Sequence, residues 1–160
     1  MNKISIIMGS QSDLETVNEA INVLKEFKVD FDLKVLSAHR TPHEVVQYVE
    51  TASKRGTKVF IAAAGMSAAL AGVVAAHTTL PVIGIPIETK NLKGLDSLLS
   101  TVQMPPGIPV ACMSIGKAGA KNAALFALAI LGINDTKISA KLINYKKKMR
   151  LKIKRTKIKL

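Results

Sequence analysis

The sequence predicts a three-layer α/β domain with a parallel sheet of about five strands and an additional C-terminal helix. Two observations carry this prediction. Short apolar, β-branched runs recur along the chain, separated by stretches in which apolar residues follow a helical period. The runs are also mostly continuous rather than alternating, as expected of strands buried on both faces of a parallel sheet. Strands alternating with helices then build crossover units with a helical layer on each side of the sheet.

The apolar runs fall at residues 4–8, 31–36, 59–63, 81–85 and 109–113. Between the first two, Leu14, Val17, Ile21 and Leu24 share one helical face. Val45, Val49 and Ala52 repeat that pattern over 41–54, and Pro42 suits a first helical turn. Shorter helices are expected at 66–76 and 95–102. Residues 118–131 are apolar on nearly every face, as in a helix covered on several sides, in a core or a subunit contact. Ile138, Leu142, Tyr145 and Met149 extend a helical period to about Arg150. The expected organisation is one domain over 1–150 followed by a basic, mobile tail over 151–160.

With 160 residues and 48% apolar content, the chain can bury a sizeable core. No apolar stretch approaches the roughly 18 residues of a membrane span. The start of the chain lacks a basic-then-apolar leader, and a cytoplasmic location is expected. Cys112 is the only cysteine; in its apolar run it reads as a small buried hydrophobe, and a reducing compartment fits. The net charge of +12 is mostly local: Lys146 to Lys159 holds nine cations and no acid, leaving +3 for residues 1–145. Basicity therefore says little about the body of the protein.

Ligands of an open parallel sheet bind beyond the carboxyl ends of its strands, where strand order reverses. Three strand-end loops stand out. In Gly9-Ser10-Gln11-Ser12-Asp13, hydroxyls and free N–H groups would face a helix N-terminus, which favours an anion. Asp13 would either cap that helix or accept hydrogen bonds from ribose hydroxyls. In Ser37-Ala38-His39-Arg40-Thr41-Pro42, Arg40 can grip a phosphate with a planar fork, and His39 can exchange a proton near neutral pH, although a lone His is often structural. His43 and His77 are assigned surface and structural roles. In the third loop, Ala64-Gly65-Met66 and the small residues up to Gly72 would admit a flat ligand or merely allow tight packing. No metal-ligand spacing, nucleophile elbow or dinucleotide fingerprint is present. Proton transfer by one His on a phosphorylated small molecule is the simplest chemistry left.

Together these loops resemble class I PurE, the N5-carboxyaminoimidazole ribonucleotide mutase family. The matching stretches also include Leu80-Pro81-Val82-Ile83-Gly84-Ile85-Pro86, Gly94-Leu95-Asp96-Ser97-Leu98, Val102-Gln103-Met104-Pro105 and Ile115-Gly116-Lys117-Ala118-Gly119-Ala120. They are collinear over about residues 4–131. The resemblance implies a flavodoxin-like sheet, a homo-octamer and a reaction of purine biosynthesis that needs no cofactor. A carboxylate would leave the exocyclic nitrogen of an aminoimidazole ribonucleotide and re-attach at ring carbon C4. It implies His39 as the proton-transfer residue, with Ser10, Ser12, Asp13 and Arg40 on ribose and phosphate. Ser37, Ala38, Gly65 and Met66 would surround the ring.

One departure is visible. Many members read Ala-His-Leu-Pro-Gly where this chain has Ala68-Ala69-Leu70-Ala71-Gly72. The competing readings are the sister enzyme that carboxylates aminoimidazole ribonucleotide directly, and a non-catalytic nucleotide- or nucleic-acid-binding protein. The sister class typically carries Lys after the His, where this chain has Arg40. The tail lacks interleaved aromatics, so nucleic-acid contact is expected only as non-specific charge attraction.

Overall fold

A computed structural model describes residues 3–158. Five strands form one sheet: β1 (Ile4–Met8), β2 (Phe31–Val35), β3 (Val59–Ala64), β4 (Val82–Pro86) and β5 (Ala111–Cys112). All neighbours pair in parallel, in the order β2-β1-β3-β4-β5. This is the flavodoxin-like order, whose direction reverses between β1 and β3. The helices are α1 (Leu14–Phe27), α2 (Pro42–Lys54), α3 (Leu70–Ala76), α4 (Leu95–Val102), α5 (Gly116–Gly132) and α6 (Thr136–Arg155).

Alternate side chains of each strand leave the sheet on opposite faces, so continuous apolar runs feed two cores at once. Ile4, Ile6 and Met8 of β1, with Val59, Ile61 and Ala63 of β3, pack against Val17, Leu24 and Phe27 of α1 and Ala120, Ala124 and Leu128 of α5. Ile7, Phe60 and Ala62 point the other way, onto Val45 and Val49 of α2 and Leu70 and Val74 of α3. Full burial of each large aliphatic side chain contributes roughly 1.5–3 kcal/mol. Ser5 is the polar exception in β1. Its Oγ lies 2.5 Å from the Tyr48 hydroxyl, which donates to Asp32 Oδ2 at 2.6 Å. Burial and the neighbouring carboxylate push the Tyr48 phenol up, so it stays a neutral bridge from α2 to β1 and β2.

The expected helix over 66–76 begins only at Leu70. Met66 has φ 58°, a left-handed conformation that stops a helix from running through it, and residues 65–69 form a tight turn instead. β5 is shorter than its apolar run, because Pro109 has no N–H for the ladder. The uniform apolarity of α5 is answered largely within the chain, between α1, α6 and the sheet. At the other end, α6 runs five residues past Arg150. Lys152, Lys154 and Arg155 in its last turn suit the negative end of the helix dipole. Its start is fixed by Asp135, which accepts from Lys137 N and Ile138 N at 3.1 and 3.2 Å. Ile138, Leu142 and Tyr145 then seat it on the core, with Tyr145 against Phe27 at 5.8 Å between ring centroids. Lys159 and Leu160, at the end of the expected tail, lie outside the described residues.

Gly84 shows how tightly the sheet is covered. A Cβ there would lie 2.4 Å from Thr101 Cγ2, 3.1 Å from Val110 Cγ1 and 3.3 Å from Ala71 Cβ. Thr101 cannot easily retreat, being buried with its hydroxyl donating to Ser97 O at 2.7 Å. Gly84→Ala is therefore expected to destabilise the fold by about 1–3 kcal/mol through overpacking, read as a lower denaturant midpoint. An unchanged midpoint would show that α4 moves freely against the sheet.

Candidate functional site

An open cleft of about 710 Å³ lies beyond the carboxyl ends of β1, β2, β3 and β4. Its lining includes every residue that the resemblance places on the substrate: Ser10, Ser12, Asp13, Ser37, Ala38, His39, Arg40, Gly65 and Met66. Residues more than fifty positions apart converge there because β1 lies between β2 and β3 in the sheet, so their exit loops are adjacent.

The first loop is braced by its own polar groups. Ser10 caps a short 3₁₀ turn over Gln11–Asp13, and Ser12 N donates to Ser10 Oγ at 3.3 Å. Asp13 Oδ2 accepts from Ser10 N at 3.1 Å, completing a capping box. The Ser12 hydroxyl reaches Ser10 Oγ at 2.9 Å and Asp13 Oδ1 at 3.3 Å. Gly9 N and Asp13 N donate to Ala63 O and Ser10 O at 3.0 and 3.1 Å, so four of the loop's five backbone N–H groups, expected to be free for an anion, are already engaged. Asp13 does cap, but by closing this turn; it makes no cap bond to α1.

The second loop is a hydroxyl-pinned turn. Ser37 N donates to Thr41 Oγ1 at 2.8 Å, and Thr41 Oγ1 donates to Ser37 O at 3.1 Å. Thr41 N also donates to Ser37 O, at 2.9 Å. These bonds close the turn over Ala38, His39 and Arg40, all three of which line the cleft. Arg40 Nη2 donates to Gly9 O at 3.0 Å, and its Nε reaches Ser37 Oγ at 3.5 Å. The guanidinium therefore ties the second loop to the first, while the rest of its five-donor fork remains available to an anion. His39 is solvent-exposed, and among the described residues nothing hydrogen-bonds to its ring. His43 is also exposed and is absent from the cleft wall.

The third wall is the turn at Gly65 and Met66, and a fourth was not foreseen. Ile87, Glu88, Thr89 and Lys90, after β4, also line the cleft. The sequence signal was available: a Glu-Thr-Lys triplet one residue after a buried strand, at the same end of the sheet as the other loops. Among the described residues there is no group of three or more His, Cys, Asp or Glu able to hold a metal ion. Cys112 is part-buried in an apolar setting that pushes its thiol up, as expected of a packing residue.

The sheet order and this cleft define a flavodoxin-like α/β protein with an open cleft at its switch point. The chain belongs to the AIR carboxylase family, whose model matches residues 3–152. It is 57% identical over 150 residues to a Pyrococcus abyssi protein named N5-carboxyaminoimidazole ribonucleotide mutase, covering 94% of this chain and 85% of that one. A Saccharolobus solfataricus protein of the same name is 53% identical, with 94% of each chain covered. The solved structure of Treponema denticola PurE superposes with a TM-score of 0.86 at 30% identity, covering 94% of this chain and 92% of that one.

Asp13 links the site to pH. Burial raises its carboxyl above the ordinary range, against the opposing pull of the Ser10 N–H, the Ser12 hydroxyl and the Arg40 charge. Folded protein therefore holds this proton more tightly than unfolded chain does. The ionised form is a net cost to folding: absent below the ordinary carboxylate range, growing as pH rises towards the raised value, and complete above it. Asp13→Asn is expected to raise the melting temperature at pH 7 by on the order of a few degrees, with the gain vanishing in acid below that range. Melting curves at several pH values check it; a pH-independent difference would assign the effect to packing.

Proposed function

We infer that this protein is an N5-carboxyaminoimidazole ribonucleotide mutase, an isomerase of purine biosynthesis. One observation carries the reading: relatives of that name match it at 53–57% identity over nearly its whole length. The runner-up is the direct carboxylation of aminoimidazole ribonucleotide that the family's own description suggests. Arg40, where the sister class typically has Lys, favours the mutase.

The chemistry asked of the cleft is a decarboxylation followed by a recarboxylation. The carbon–nitrogen bond of the carbamate breaks, carbon dioxide forms, and the electron pair stays on nitrogen. His39, as imidazolium, gives that nitrogen a proton. Ring carbon C4 then attacks the carbon dioxide, and neutral His39 removes the C4 proton. The protons balance within one cycle, so a single base suffices and no cofactor is invoked. Arg40 would hold the 5′-phosphate and Asp13 the ribose hydroxyls, with Ser10 and Ser12 beside them. Ser37, Ala38, Gly65 and Met66 would enclose the ring.

A cytoplasmic homo-octamer is part of this reading. No helix among the described residues is long and apolar enough to cross a membrane. Support for assembly comes from α4, where Leu95, Leu99 and Val102 follow a helical stripe and are each about half exposed, beside exposed Leu92. Light scattering on the purified protein is expected to give the mass of an octamer; a fully active monomer would remove this part of the proposal.

The function is tested by converting the N-carboxylated substrate to the C4-carboxylated product without added bicarbonate or ATP. His39→Asn keeps similar bulk and a hydrogen-bonding group but cannot exchange a proton near neutral pH. Its turnover is expected to fall by at least about 10²–10⁴. Calorimetry should show substrate binding retained, since phosphate and ribose contacts come from other residues. A variant that binds and still turns over within about tenfold of the parent would sink the assignment of His39.

A further inference from the structure

The Gly94-Leu95-Asp96-Ser97-Leu98 motif lies outside the cleft wall, yet its side chains hold that wall in place. Thr89 Oγ1 donates to the Asp96 carboxylate, 3.1 Å from each oxygen. Asp96 sits in the first turn of α4, where a negative charge is favoured by the helix dipole. Beside it, the buried Ser97 Oγ lies 2.7 Å from Ile87 O and 2.9 Å from Gly94 O.

The segment between these anchors and the cleft is pressed from both sides. A Cβ on Gly94 would stand 3.2 Å from Glu88 Cα, so the backbones of α4's entry and the 87–89 segment nearly touch. On the opposite side, a Cβ on Gly65 would stand 3.2 Å from Thr89 Cγ2 and 3.5 Å from Ile87 Cβ. Ile87 N also donates to Ala64 O at 2.9 Å. Thr89 thus has two different faces: its methyl backs Gly65, and its hydroxyl is tied to Asp96.

We propose that Thr89 and Asp96 are positioning residues for the reaction, setting the Gly65–Met66 turn at the depth where the imidazole ring is held against His39. The proposal rests on the mutase reading and extends it to residues that do not themselves touch the reacting atoms. Phosphate and ribose would be held on the other two loops, so loosening this wall changes the chemical step more than binding.

Three variants of the 160-residue chain test it, after the parent has been shown to catalyse the conversion. Thr89→Val keeps the methyl against Gly65 and removes the hydroxyl. Its kcat is expected to fall by roughly 10–100-fold, the effect of a displacement on the ångström scale, with KM nearly unchanged. Asp96→Asn retains an acceptor for the Thr89 hydroxyl and should keep kcat within about threefold of the parent, whereas Asp96→Ala removes that acceptor and should reproduce the Thr89→Val loss. Overturning results are a Thr89→Val kcat equal to the parent's, or a KM rise with kcat intact. A Thr89→Val loss that Asp96→Ala does not share, and that follows the variant's lower melting temperature, would likewise assign Thr89 to packing alone. An inactive parent would instead fail the mutase reading.

Discussion

Everything at the site depends on β1 being buried on both faces between β2 and β3. Ile4, Ile6, Ile7 and Met8 leave no solvent-facing side, so β1 can only sit inside a sheet covered by helices. A parallel strand in that position must send its chain onward at the same end as its two neighbours. The loops carrying Ser10, His39 and Gly65 therefore share one edge of the sheet, although they are far apart in sequence. The reversal of strand order between β1 and β3 sends the loops after these parallel strands to opposite sides of the sheet and leaves the gap that the cleft occupies.

Around that gap, polar side chains act first on one another. The Ser10–Asp13 capping box, the Ser37–Thr41 turn and the Arg40–Gly9 bond fix two loops before any ligand arrives. Such bonds are individually modest, about 0.5–1.5 kcal/mol net, but each removes a rotamer that a ligand would otherwise have to select. The cost shows at Asp13, whose burial raises its carboxyl above the ordinary range. By contrast, His39 is exposed at the cleft and takes no part in these loop-bracing bonds.

The small-residue turn at Gly65 follows a different logic. Its shape is imposed from behind, by Ile87 and Thr89, and ultimately by Asp96 and Ser97 at the start of α4. Ala69 and Ala71, where many family members carry His and Pro, contribute no side-chain cap and no ring stiffness here. In this chain the turn relies on the packing of its neighbours and on the left-handed backbone at Met66.

Much of this was legible in the sequence by itself. Continuous apolar runs with helical spacing between them fixed the class of fold, because burial on two faces admits few other arrangements. The strand-end positions of Ser10, His39, Arg40 and Gly65 fixed the neighbourhood of the site, since parallel strands deliver their exit loops to one edge. What the tertiary structure alone decided is how those groups are used. Asp13 closes its own turn and Arg40 bridges two loops because hydrogen-bond partners are set by distances between segments, which spacing along a chain does not encode. The start of α3 at Leu70 follows from one left-handed residue, a conformation that Met66 does not announce by its type. The wall at Thr89 owes its place to contacts with Gly65, Gly94 and Asp96, and such contacts exist only once strands and helices have packed.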